Sequence, residues 1–204
     1  MTKIILTDCD GVLMDWERTF SEWMIDNGYA IDQEYATSYN MAKKYSITED
    51  EKTKIIKHFN ESSRIGWLPP LRDAIKYVKK LHEEHGYVFH MITSLSRSPW
   101  AGKLRIENTE RLFGKTAFEK YIFLDVGADK DDELVKYQNT DLLWIEDKLE
   151  NANTGLKYGL NSVLISHQHN KMLDDKRDII PRFTNWEELY NSVLVEKLVI
   201  HTNN

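Results

Sequence analysis

The chain of 204 residues has a single cysteine, Cys9, so no disulfide can form within it. That excludes the small cross-linked secreted scaffolds and points to a reducing compartment. No apolar run approaches the length needed to span a bilayer. The N-terminus enters a strand-like run without a charged leader or a small-residue cleavage site, and a cytoplasmic location is expected. Positive charge is in deficit: 27 Lys and Arg face 33 Asp and Glu, a net charge of −6. Coating a nucleic-acid polymer requires a basic face, so this balance argues against that role. It leaves room for a local cationic pocket that takes a nucleotide. Internal repeats and low-complexity tracts are also lacking. What is present is a chain of ordinary domain size, 41% hydrophobic and 29% charged. It is long enough to bury a sizeable core and to carry one smaller insertion.

Five short apolar runs stand out: Lys3–Thr7, Tyr87–Thr93, Tyr121–Leu124, Asp141–Ile145 and Ser162–Ser166. Continuous rather than alternating apolar strands imply burial on both faces, hence a parallel sheet. Helical patterns lie between them. Leu71, Ile75, Val78 and Leu81 form one stripe within Pro70–Leu81. Asn151–Tyr158 reads as a helix that stops at Gly159. Thr184 and Glu187 are spaced as a capping box for a last helix. The alternation predicts an α/β doubly wound parallel sheet, whose sites lie at the carboxyl ends of strands.

Residues 14–67 break that rhythm, since they separate the first two strands by more than one crossover helix requires. Asp15–Gly28 and Thr48–Phe59 have helical patterns. The segment is predicted to be a helical cap over the sheet's carboxyl edge, with 1–13 and 68–204 forming the core domain. It carries Trp16, Phe20, Trp23, Tyr29, Tyr35, Tyr39, Tyr45, Phe59 and Trp67. Most of these are expected to fill the cap's own core, with a minority lining a pocket for a flat or apolar group.

The first strand runs into Asp8-Cys9-Asp10-Gly11. Two acids at the mouth of a sheet resist joint ionisation unless a cation or a proton sits between them. This suggests a Mg²⁺ site with a nucleophilic carboxylate, or a carboxylate pair for acid–base work. Asp-x-Asp-Gly also occurs in plain turns, so the motif needs company. Thr93 and Ser94 end the second strand, and hydroxyls with backbone N–H groups there make an anion site. Lys130 opens a helical run after the third strand. Glu146 and Asp147 end the fourth. His167 and His169, in a late polar loop, lack the acid or cysteine partners a transition-metal site needs.

In this order the four clusters resemble the haloacid dehalogenase superfamily of phosphohydrolases, and the resemblance covers nearly the whole chain. It implies a Rossmann-like core, a cap inserted after the first motif, and catalysis through an aspartyl-phosphate with Mg²⁺. Asp8 matches the nucleophile and Asp10 the general acid–base. Thr93 or Ser94 matches the phosphate-binding hydroxyl, and Lys130 the lysine that holds phosphate. Asp8, Asp10 through its carbonyl, and Asp147 match the metal ligands, with Glu146 as a direct or water-mediated partner. Cys9 departs from the bulkier apolar residue often found there. The segments Trp67–Leu71, Ile92–Ser94, Glu110–Gly114 and Ser166–Asn170 are similar to those of the 5′(3′)-deoxyribonucleotidases. The expected substrate is therefore a small phosphomonoester, foremost a deoxynucleoside monophosphate. Alternatives are a sugar-phosphate or other metabolite phosphatase, a phosphotransferase or phosphomutase, and a silent binding protein.

Overall fold

The computed structural model describes residues 3–38, 40–171 and 180–202; Tyr39 lies outside them. Six strands form one sheet: β1 (Lys3–Thr7), β2 (Tyr87–Ser94), β3 (Phe118–Leu124), β4 (Leu143–Glu146), β5 (Asn161–Ile165) and β6 (Arg182–Phe183). Their order is β3-β2-β1-β4-β5-β6, and every pairing is parallel. β1 therefore lies between β2 and β4, where the direction of winding reverses. In such sheets the crevice at the carboxyl ends of these strands is the place a ligand can enter.

Neighbouring residues on the central strands go to opposite faces, which explains their unbroken apolar runs. Ile5, Met91, Ile145 and Val163 enter one core, while Leu6, Ile92, Trp144 and Leu164 pack on the other side. The first and larger face is covered by α4 (Ala74–Glu83), α5 (Pro99–Phe113) and α9 (Trp186–Thr202), the last preceded in the chain by the single-turn α8 (Gln168–Lys171). The second is covered by α6 (Asp131–Leu134) and α7 (Leu149–Lys157). Among the described residues, no helix is long and apolar enough to cross a membrane.

Limits differ from the sequence expectation in several places: β3 begins at Phe118 rather than Tyr121, β4 at Leu143 rather than Asp141, and α7 at Leu149 rather than Asn151. α4 begins at Ala74 rather than Pro70, because Arg72 takes a left-handed φ of 45° that interrupts any helix. The face it buries is accordingly Ala74, Tyr77, Val78 and Leu81, with Ile75 only half-buried. At the start of α9 the cap falls one residue later than Thr184. Asn185 Oδ1 accepts from Glu188 N, and Glu188 returns the bond to Thr184 N. Glu187 is thereby freed to accept from Tyr77 Oη at 2.5 Å. The two-residue β6 carries too little apolar pattern to announce itself.

Between β1 and β2 stand α1 (Trp16–Asp26), α2 (Met41–Lys44) and α3 (Glu49–Asn60), followed by a single turn at Ser63–Trp67. Asp15 caps α1, and Thr48 with Glu51 forms a full capping box on α3. Most of the aromatic residues here make this segment's own core. Trp16 stacks on Phe20 at 4.5 Å, and Phe59 sets its edge against both. Trp67, in contrast, is 70% exposed. The two connections to the sheet run side by side: Asp15 N donates to Pro69 O at 2.9 Å, and Leu71 N to Leu13 O at 2.8 Å.

α7 lies so close to β4 and β5 that a Cβ on Gly155 would meet Trp144 Cδ1 and Ser162 Oγ well inside contact distance. Gly155→Ala is expected to cost about 1–3 kcal/mol through overpacking, despite alanine's better helix propensity. Urea denaturation checks this; a stabilised variant would mean that α7 can lift off the sheet.

Candidate functional site

The first acid inherits its place from β1, since Asp8 N still donates to Ile145 O on β4 at 2.9 Å. The chain then turns back sharply. Leu13 N and Met14 N both reach Cys9 O, at 2.8 and 3.0 Å. Gly11 sits in this turn with φ 75°, and a Cβ there would run into the Asp147 carboxylate. Glycine is thus required by both conformation and close approach. Because β4 is the neighbour of β1, Glu146 and Asp147 emerge beside Asp8. One oxygen from each of the three carboxylates lies within 4.8 Å of the others.

Lys130, at the start of α6, reaches into this group from the far side and is buried. Its Nζ is 2.9 Å from Asp8 Oδ1 and 2.6 Å from Glu146 Oε1. Glu146 also accepts from Asn151 Nδ2 at 2.7 Å and from the backbone N–H groups of Asp147 and Lys148, at 2.8 Å each. By distance Glu146 belongs to the acidic group; by bonding, its oxygens already have four donors. Asp147 is different. Apart from its neighbour Glu146, the contact its carboxylate makes is His169 Nε2 at 3.5 Å.

The charges record this asymmetry. Burial pushes Asp8 up to about 6, against the pull of Lys130 and with Glu146 and Asp10 adding to the rise. Asp147 is raised well above the usual carboxylate range by burial, with Glu146 and Asp8 adding repulsion. Glu146 is buried too, yet Lys130 and its other donors hold it below that range. Lys130 is raised, because the attraction of Asp8 and Glu146 outweighs its own desolvation. With Lys130 set against Glu146, Asp8 and Asp147 form an all-oxygen pair that is two positive charges short when both are ionised, a donor set suited to a hard divalent cation.

The second acid, Asp10, faces a partner that sequence reasoning missed. Arg105 on α5 grips both of its oxygens, NH1 to Oδ1 at 2.5 Å and NH2 to Oδ2 at 3.2 Å. Ninety-five residues separate the pair, so no spacing could reveal it. The available signal was Arg105, Asn108 and Arg111 at every third place of a helix that must pack on a sheet.

At the end of β2, Thr93 and Ser94 both line the opening. Ser94 Oγ donates to Ala128 O at 3.0 Å. The Thr93 hydroxyl makes no hydrogen bond within the described residues, which leaves it free to meet an anion. His167 donates to Gly11 O at 2.6 Å, and His169 Nε2 lies 3.2 Å from Asp147 O. These rings pin the loop after β5 against the Gly11 turn.

All of this opens into a cavity of about 640 Å³. Asp8, Asp10, Thr93, Lys130 and Asp147 form its floor, and Trp16, Met41, Lys52 and Ile56 of the inserted helices form its roof. Asn60 ties the roof to the sheet. It accepts from Trp16 Nε1 at 2.9 Å and donates to Leu95 O at 2.8 Å.

No family model matches the chain. It is 27% identical over 139 residues to an uncharacterised 32.4 kDa protein of the Gp30-rIII intergenic region of Enterobacteria phage T4. That match takes in 65% of this chain and 48% of the phage protein, so the chain spans about half the length of this curated relative. Solved structures resemble it over almost their full length. A predicted phosphatase from Clostridium acetobutylicum superposes with a TM-score of 0.66 at 14% identity, covering 95% of this chain and 99% of that one. A HAD family hydrolase from Deinococcus radiodurans R1, with bound phosphate and sodium, gives 0.63 at 17% identity, covering 96% of each chain. A variant of CbbY from Rhodobacter sphaeroides, in complex with xylulose-(1,5)bisphosphate, gives 0.59 at 15%, covering 93% and 96%. The fold is that of the haloacid dehalogenase-like hydrolases.

Asp8 offers a test of the site's electrostatics. In the folded protein it keeps its proton up to about pH 6, whereas an unfolded aspartate loses it near 3.8. Ionising it therefore costs the fold stability, fully above pH 6 and not at all below the unfolded value. Asp8→Asn removes that cost. In metal-free buffer it is expected to stabilise the protein at pH 7 by up to about 3 kcal/mol, with the gain vanishing near pH 4. Thermal unfolding across this range measures it, and a loss of stability at pH 7 would contradict the site's charge balance.

Proposed function

We propose that the protein is a Mg²⁺-dependent phosphatase that hydrolyses a small phosphomonoester, foremost a (deoxy)nucleoside monophosphate, through an aspartyl-phosphate on Asp8. The observation that carries this reading is the pairing of Asp8 and Asp147 at adjacent strand ends, two positive charges short when ionised, on the floor of a cavity roofed by the inserted helices. Asp8, the Asp10 carbonyl and Asp147 would hold the metal, whose charge lets an anionic nucleophile and an anionic phosphate share the site. Glu146 braces Lys130 rather than serving the metal directly.

Asp8 attacks phosphorus, and the bond from phosphorus to the leaving oxygen breaks in line. Asp10 gives its proton to that oxygen, so the product leaves as an alcohol. Asp10 then takes a proton from water as the water oxygen attacks the phosphoryl group. The aspartyl bond breaks, phosphate departs and Asp8 is restored. Thr93 and Lys130 hold the non-reacting oxygens, with Ser94 keeping the Ala128 loop in place. The inserted helices act as the cap that excludes water and selects the leaving group. Trp16 in the roof suits a flat base, and the cavity volume suits a mononucleotide. A sugar phosphate is the second reading, favoured by the likeness to CbbY with its xylulose-(1,5)bisphosphate.

Phosphate release with Mg²⁺ from deoxy- and ribonucleoside monophosphates, sugar phosphates and an aryl phosphate tests the reading. Deoxynucleoside monophosphates are expected to be turned over best, and Asp8→Asn should lower kcat by at least about 10³-fold with the fold intact. Release from sugar phosphates alone would keep the mechanism and discard the nucleotide. Phosphate appearing on a second acceptor would make the protein a phosphotransferase, and no Asp8-dependent turnover would leave a binding protein.

Metal affinity supplies a second test. A cation that binds Asp8 must displace its proton below about pH 6. Mg²⁺ affinity measured by calorimetry is expected to weaken by at least about tenfold per pH unit as pH falls below that value, and more steeply where the proton on Asp147 must be displaced as well. An affinity flat from pH 7 to 5 would remove Asp8 from the ligand set.

A further inference from the structure

Arg105 has no part in the steps above, yet it is completely buried. Its NH1 touches Asp10 Oδ1, Cys9 Sγ at 2.7 Å and Met14 Sδ at 3.6 Å, and its buried Nε has no hydrogen-bond partner among the described residues. An arginine there is a costly way to fill space, because a buried ion pair stabilises no better than apolar residues of the same volume. What it supplies is geometry. A fork that holds both oxygens fixes the plane and rotamer of the carboxylate, which a single donor does not do. Asp10 opens to the cavity on one side and is held by Arg105 from behind.

Two further features belong to the same arrangement. Cys9 is small enough to let the guanidinium lie against it, where a bulky apolar residue would occupy that space. Along the same face of α5, Asn108 Nδ2 donates to Leu68 O at 3.0 Å. Arg111 donates to Gly66 O at 2.9 Å and lies 4.0 Å from the centre of the Trp67 ring. One helix face thus holds the exit of the inserted segment and the second acid together.

We propose that Arg105 is a positioning residue that sets the Asp10 carboxylate for proton transfer to the leaving group and fixes it relative to the exit of the cap. This rests on the phosphatase reading given above. It predicts damage to the proton-transfer step rather than to binding.

The experiment compares wild type, Arg105→Lys, Asp10→Asn and the double variant on an alkyl and an aryl phosphomonoester with Mg²⁺. Arg105→Lys keeps the charge and loses the fork. It is expected to lower kcat about 10–100-fold on the alkyl ester with KM within about twofold, as misplacement of a reacting group does. The loss should be smaller on the aryl ester, whose leaving group needs less protonation. In the Asp10→Asn background the same substitution should cost at most about twofold more, because its effect passes through Asp10. Equal losses in both backgrounds, equal losses on both esters, or a change confined to KM would overturn the proposal. If Arg105→Lys does not fold, Arg105→Gln carries the same comparison. Wild type that releases no phosphate in an Asp8-dependent way overturns the phosphatase reading and this proposal with it. Turnover by wild type with any contrary variant pattern overturns only the role of Arg105.

Discussion

The arrangement depends on a concentration of negative charge that the protein itself leaves incompletely neutralised. Asp8, Glu146 and Asp147 are buried together around one lysine. Lys130 and a set of N–H donors satisfy Glu146 completely, so the deficit falls on Asp8 and Asp147. Burying such groups is unfavourable, and folding must supply that energy from elsewhere. The double-faced apolar core of the sheet and its helices is where it is found. Unneutralised carboxylates in a closed-over cavity are a standing demand for a cation or a proton, and that demand is the basis of the functional reading.

The winding order turns this demand into a site. Only because β4 returns to the far side of β1 do Asp8 and Asp147 meet, from positions 139 residues apart. The Gly11 turn then allows the backbone that follows Asp8 to approach the Asp147 carboxylate closely, which brings the two strand ends together. The inserted helices add the roof. Their aromatic cluster makes them a stable unit, while Asn60 and the paired connections at Asp15–Pro69 and Leu13–Leu71 fix them over the floor.

Arg105 shows the opposite kind of dependence, in which a core helix controls a group in the cavity. It reaches Asp10 through the space left by Cys9, and its helical neighbours hold the backbone where the inserted segment re-enters the core. The second acid is therefore oriented from behind by α5, whereas the first is oriented by strand register. Two acids two residues apart in sequence consequently stand in unlike environments, which suits the proposed division into nucleophile and proton donor.

Five of the six strands, and the polar clusters that follow four of them, are legible in the sequence as local pattern. Apolar runs at Lys3–Thr7 and Asp141–Ile145, each followed by acids, are local patterns left by burial on both faces, although the fourth strand itself spans Leu143–Glu146. The helical pattern of Thr48–Phe59 is likewise local, and Thr48 and Glu51 close its start by bonding to each other's backbone, whereas α9 starts one residue beyond the cap that the Thr184–Glu187 spacing suggests, because Thr184 and Asn185 can both cap. Tertiary structure decided which donors each carboxylate receives. Glu146 gains its four donors, Thr93 keeps a hydroxyl without a hydrogen bond among the described residues where Ser94 spends its own, and Arg105 crosses 95 residues to reach Asp10. The physical reason is that hydrogen bonding and desolvation depend on neighbours in space. A one-dimensional pattern records which chemical groups a strand end carries, and only packing sets what each is paired with.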